Sequence, residues 1–491
     1  MSPSSNPSES VSASPAGSRG RAADRIDVSC RTPLLVLFIS AAVWLVIGSV
    51  FALIASLKFH SPNILADCPW LTYGRVRPVA NNCLLYGFCL QTGLGVGLWL
   101  LARLGGAPLA QAWLVTLGAK LWNLGVTVGV IGILAGDATG FENLELPPYA
   151  ALILFLGYLL VAVWSLLTFH QRRERQLYVS QWFLFAALFW FPWIYSTANL
   201  LLVTFPLRGA AQAVVAWWYS DNLLVVWLGL VGLAAIFYFV PKLTNRELHS
   251  RYLALFAFWA LILFGSWGGI PNSAPLPAWM PALSTVATVL TLFAILTVVL
   301  NIYGTLEGNC SKLLAGPTLN FIGFGVIAFI VAGLMNALGS FSQISRVTNF
   351  TWFTPAQTYL NVYGFFAMTM FGAIYYILPC LTGIEFPSPK LVRAHFWVAA
   401  IGILLIVVPL ATGGILQGYK LQNPSVAFMD ILKSTLPFLR VSTIGDLLLL
   451  LGHLIFLGNI VGMVTQFFHA RALTAYAAAT ADLFESAEVK R

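Results

Sequence analysis

Four ionisable side chains fall within long apolar stretches of this 491-residue chain: Lys120, Asp221, Asp446 and His453. A charge or an imidazole at bilayer depth is costly, so each marks a functional position by default. Asp446 and His453 stand seven residues apart in GDLLLLLGHLIF, on one face of a helix. That spacing suits a proton relay, but such a relay needs a third group that the sequence does not identify. Lys120, two turns into its span in GAKLWNLG, reads as an ammonium snorkelling to the headgroups. Asp221, in WWYSDN, reads as the N-cap of a span or as a ligand for a hard cation. His60, His170, His249, His395 and His469 fall in loops or at span ends. One deep imidazole cannot supply the facing pair of a bis-histidine haem, nor the several that copper would need.

The elements that must position these groups are membrane helices. The chain is 59% hydrophobic and 9% charged, with a mean hydropathy of +0.84. Soluble domains carry about 25% charged residues, so a soluble enzyme, a nucleic-acid-binding protein and a disulfide scaffold are excluded. The net charge of +9 points to the inner edge of a membrane rather than to nucleic acid. Apolar runs predict twelve transmembrane helices at 34–57, 84–104, 112–135, 148–169, 178–204, 221–241, 252–271, 281–303, 316–339, 357–380, 394–416 and 444–467. They exceed strand length and do not alternate, so the fold class is all-α.

Three parts follow: a Ser/Pro/Ala-rich tail at 1–33, a membrane domain at 34–469, and an Ala-rich tail at 470–491 that suits a short surface helix. The first tail has no apolar core, reads as disordered, and cannot be a secretory signal. With both termini cytoplasmic, the inner segments hold about twice as many Lys and Arg as the outer ones. That places the chain in a bacterial-type inner membrane, with the bilayer as its first partner. The acidic outer loop GDATGFENLELPP reads as solvated or as a landing site for a basic soluble protein. The cysteines form no C-x-x-C pair, and a Cys68–Cys83 disulfide stays open.

Several strings, in order and spacing, resemble subunit I of the cbb3-type haem–copper oxidases. They are LTYGRVRP (71–78), QWFLFA (181–186), QAVVAWWYSDN (212–222), FYFVPK (237–242), FWALI (258–262), FGAIYYILP (371–379), AHFW (394–397) and GGILQG (413–418). The resemblance runs from about residue 34 to 467 and implies oxygen reduction at a haem–copper centre, with a second haem relaying electrons. It also says where the ligands belong. The low-spin haem histidine of the family's G-R-L-R-P-L-H falls on Ala80, and the copper histidine of W-W-Y-G-H-N falls on Asp221. The two copper histidines of W-A-G-P-H-H fall on Pro271 and Asn272. The tyrosine upstream of them falls on Gly265, and the two haem ligands of G-H-V-H fall on Gln357 and Tyr359.

None of the six histidines is present. Ala, Gly and Pro offer no ligand atom, Gln binds iron poorly, and a lone Tyr recreates neither site. The expected catalytic, cofactor and metal sets are therefore empty, with haem b conceivable only if the ligand reading fails. The expected function is a ligand-less, subunit I-like scaffold assembling with a membrane-anchored cytochrome c or another redox subunit. An active oxidase or nitric oxide reductase with non-histidine ligation, and a secondary transporter, are the alternatives. An emptied cavity is costly, so Phe, Leu and Trp side chains are expected to fill it or the helices to close in. The run FAALFWFPWI (185–194) is a candidate filler, or ordinary packing.

Overall fold

A computed structural model describes the backbone of residues 15–488 except 315, and the side chains of 23–480 except 314 and 315. Among the described residues there are no strands. Twelve main helices follow one another: α1 (Pro15–Leu57), α2 (Tyr73–Gly105), α3 (Ala112–Ala135), α4 (Pro148–His170), α5 (Val179–Thr204), α6 (Ala210–Thr244), α7 (Arg251–Gly265), α8 (Trp279–Thr305), α9 (Pro317–Gly339), α10 (Phe353–Thr382), α11 (Pro389–Leu421) and α12 (Phe428–Glu488). Eleven are long and apolar enough to cross a membrane. The exception is α7, with 15 residues, which stands where the seventh span was expected to reach 271. Glycines at 265, 268 and 269 and Pro271 end it early.

Four helices begin well before their apolar runs do. The expected starts were 84, 221, 357 and 444, whereas α2, α6, α10 and α12 start at Tyr73, Ala210, Phe353 and Phe428. The added turns carry Arg75, Arg77, Gln212, Ser220, Lys433 and Arg440. Those at Arg77, Gln212 and Ser220 turn polar side chains toward protein rather than lipid, where helical backbone remains satisfied but hydropathy falls. Asp221 therefore lies inside α6 and is not its N-cap.

The N-terminal boundary also differs. Residues 23–33, expected within a disordered tail, are helical, with Ile26 and Cys30 buried. Asp27 accepts hydrogen bonds from Trp99 Nε1 and Arg103 Nη1, both at 2.9 Å. Residues 1–14 lie outside the described residues. At the other end α12 continues to Glu488, so the surface helix expected at 470–491 is an extension of the last span. The Arg31 guanidinium sits 5.2 Å from the centre of the Phe467 ring, so the first and last helices meet at the end of the bundle that carries the termini.

Four stretches wind as π-helix: Cys83–Cys89 in α2, Asn199–Thr204 in α5, Asn222–Trp227 in α6 and Leu360–Ala367 in α10. Such wide turns cluster at functional positions, and three of these follow closely on Ala80, Asp221 and Tyr359. The first helix packs closely over one of them: a Cβ at Gly87 would stand 2.6 Å from Trp44 Cβ. Cys68 and Cys83 are free thiols, Cys83 being buried within α2.

Candidate functional site

A cavity of about 830 Å³ opens among α6, α8, α9 and α10, in the half of the bundle away from the termini. Asp221, Pro271, Asn272 and Gln357 all line it, although they come from three separate parts of the sequence. The backbone after α7 makes room for Asp221. A Cβ at Gly268 would stand 2.6 Å from Asp221 Oδ2, and Gly269 holds a φ of +90° in contact with Asp221 Cβ. Asn272 is fixed by bonds to Ser340 O and from Thr285 Oγ1. Gln357 Nε2 donates to Asn336 Oδ1 at 2.9 Å. Gly265 packs against Val226.

Tyr359 goes elsewhere. Side chains two apart on a helix point about 200° apart, so Gln357 faces the cavity while Tyr359 faces α2 and α12. There Arg77 Nη1 donates to Tyr359 OH at 2.6 Å and lies over its ring. Tyr359 stacks on Tyr363 at 5.6 Å, and Tyr363 stacks on His453 at 5.8 Å. His453 Nδ1 is bonded to Ser49 Oγ at 2.6 Å. Ala80 is buried on the same α2 turn. The expected fillers were Phe, Leu and Trp, whereas the side chains packed around Ala80 and Tyr359 are Arg77, Tyr363 and His453. The run at 185–194 does not join them: Phe185, Phe189 and Trp193 face outward, while Phe191 packs on Tyr158 and Tyr195.

Asp446 and His453 are both buried on α12, with Arg77 and Ser56 acting electrostatically on Asp446. Among the described residues no hydrogen bond joins Asp446 to His453, and the ring stack of Tyr363 and Tyr359 lies between His453 and Arg77. Lys120 is exposed on the flank of α3 with no ion-pair partner among the described residues.

Two residues escaped the sequence reading. Arg77 was assigned to an outer segment but is helical. His395 was placed at a span end but is fully buried, bonded through Nδ1 to Tyr375 OH at 3.0 Å. Arg77 was hidden by the early start of α2, whereas the burial of His395 comes from its packing against Phe321, Phe371 and Phe456.

The loop 136–147, expected to be solvated or a landing site for a basic soluble protein, is exposed over much of 136–142 but buries residues 143–147. Glu145 is buried and accepts from Asn82 Nδ2 at 2.9 Å, while Asn143 Nδ2 bonds Ser220 Oγ beside Asp221. Burial outweighs these bonds and pushes the Glu145 carboxyl up to about 7.

The family model described as Cytochrome C and Quinol oxidase polypeptide I matches residues 32–448. The chain belongs to this family. Its relatives include the cytochrome c oxidase subunit 1 homolog of Azorhizobium caulinodans, 26% identical over 457 residues, covering 88% of this chain and 82% of that one. The Cbb3-type cytochrome c oxidase subunit CcoN1 of Stutzerimonas stutzeri is 25% identical over 436 residues, covering 86% of this chain and 92% of its own. A heme-copper terminal oxidase dimer solved by cryo-EM shares the fold, with a TM-score of 0.66 at 13% identity and 87% and 84% coverage. The protein is thus a multi-pass, haem–copper oxidase subunit I-like membrane protein, and the positions that the cbb3 motifs give to ligands divide between the open cavity and the packed cluster.

Proposed function

We propose that this member of the family carries no haem or copper of its own and acts as a membrane scaffold. Its partner would be a membrane-anchored cytochrome c or another redox subunit, in a bacterial inner membrane with both termini cytoplasmic. The observation that carries the reading is the donor set of the cavity. Haem iron takes an axial His, Met, Cys or Tyr, and copper takes imidazole or thiolate. The cavity is lined by none of these; its polar groups are carboxylate, amide and hydroxyl oxygens and amide nitrogens. In the other region Tyr359 OH is held by Arg77, and both faces of Tyr363 are covered by Tyr359 and His453. At the positions that the cbb3 motifs give to ligands, the residues present do not fit either group.

The test is a spectrum of the chain expressed and purified alone. No Soret band and no reduced-minus-oxidised peaks are expected. A Soret band at stoichiometric haem overturns the reading. Purification from the native membrane is expected to bring a c-type cytochrome with the chain, seen as a separate haem-staining band.

A further inference from the structure

The cavity is not merely empty of imidazole; it has a definite electrostatic character. No Lys, Arg or His lines it, while Asp221 and, at its rim, Glu142 do. Asp221 has no ion-pair or hydrogen-bond partner among the described residues, and its carboxylate stands at the cavity wall beside Thr288 Oγ1. Two amides of the wall, Gln357 and Asn361, each bond the protein through the side-chain nitrogen. Gln357 Nε2 goes to Asn336, and Asn361 Nδ2 goes to Leu224 O at 2.8 Å. Their carbonyl oxygens, Gln357 Oε1 and Asn361 Oδ1, meet no protein donor among the described residues. Gln357 and Asn361 stand four apart on α10 and so share a face. The result is a wall with several free acceptors, two carboxylates and no positive charge. Such a wall rejects anions and leaves a neutral solute unable to balance the carboxylate.

Below the polar wall the lining becomes apolar. Phe329 and Phe365 pack at 4.9 Å and line the deeper part, about 18 Å along α10 from its start. The volume is within the range of small-molecule sites, roughly 300–1,000 Å³. A bare metal ion would use the acceptors but not this floor. We propose that the cavity binds a small organic ammonium ion. Its charged nitrogen would be held by Asp221, Thr288 and the carbonyl oxygens of Gln357 and Asn361, and its apolar body would lie against Phe329 and Phe365. It would enter from the end of the bundle opposite the termini. The inference rests on the reading that no haem occupies this space.

The experiment uses the full chain in lipid nanodiscs at pH 7.5, titrated with 2-phenylethylamine, with its neutral isostere 2-phenylethanol, with 3-phenylpropanoate and with Ca²⁺. Binding is followed by calorimetry, and an absorbance spectrum is taken on each sample. The amine is expected to bind at least about tenfold tighter than the alcohol, and the carboxylate is expected not to bind. Asp221→Asn should weaken the amine at least about tenfold and leave the alcohol unchanged; Thr288→Val should weaken it several-fold. Equal affinity for amine and alcohol, no amine binding at about 10 mM, tighter binding of Ca²⁺, or an unaffected Asp221→Asn protein each overturns the proposal. If Asp221→Asn fails to fold, the amine-to-alcohol ratio of the unaltered chain decides alone. A Soret band would sink the scaffold reading, whereas a colourless protein indifferent to amines would sink only this inference.

Discussion

The cavity around Asp221 and the cluster around Tyr359 are separated by the width of α10, and a single two-residue step on that helix divides them. In the cluster the side chains are large and mutually complementary. Arg77 donates to Tyr359, and the rings of Tyr359, Tyr363 and His453 form a continuous stack. Space there is filled by dispersion and one charge-assisted hydrogen bond. In the cavity the corresponding positions hold Asp221, Pro271, Asn272 and Gln357, which leave the gap open. Polar walls also tolerate water, so there is less drive to collapse than in an apolar void. The same family frame has thus closed on one side and stayed open on the other, because of side-chain volume and polarity and not because of any change in helix order.

Truncations break this comparison most directly. Tyr363→Ala removes the middle ring of the stack and should lower stability by about 3–5 kcal/mol, read as a lower thermal midpoint in nanodiscs. The loop that joins the two regions gives the next effect. Glu145 has a folded-state pKa raised above its unfolded value of 4.5, to about 7. Its folded form therefore holds more protons, and its contribution is fully present below pH 4.5 and lost as pH rises through about 7. Relative to Glu145→Gln, the unaltered protein should lose about 3 kcal/mol across that window. A difference between the two proteins that is flat with pH would show that this carboxyl is not held neutral.

Arg77→Met leaves the Tyr359 hydroxyl without its donor and should cost about 1–3 kcal/mol, again read from the thermal midpoint. On the open side, Gln357→Leu should change stability by under about 1 kcal/mol, because the side chain borders space. A loss as large as that of Tyr363→Ala would mean the cavity is structurally essential, and the contrast would fail. Smallest of all, Lys120→Met should stay within about 0.5 kcal/mol, since Lys120 is exposed and unpaired among the described residues. A large loss of assembly with partner subunits would instead make that flank of α3 an interface.

The helix count was legible because apolar runs of span length follow directly from the bilayer's thickness. The short α7 was harder to see, since glycines and a proline terminate it within an apolar stretch. Early helix starts were hidden for a related reason. Arg77 and Ser220 look like loop residues to any hydropathy window, yet they face protein. Asp221 stood out as ionisable, but its place at a cavity wall depends on Gly268 and Gly269, which lie more than forty residues away in sequence. Sequence pattern also gave no means of knowing that one of the two regions would be closely packed and the other open. That outcome turns on which way Gln357 and Tyr359 point, and therefore on the phase of α10.

The π-wound stretches preserve that phase. Each carries one residue more than an α-helical turn, and the widened turn absorbs it, so the helix on either side keeps its phase. Removing a single residue between Asn222 and Trp227 would restore ordinary winding and leave Asp221 at its chamber. A one-codon insertion into the α-wound turns after Trp227 has no such slack and would act as a rotary key, turning the carboxylate by about 100° against the rest of α6 while leaving every side chain chemically intact.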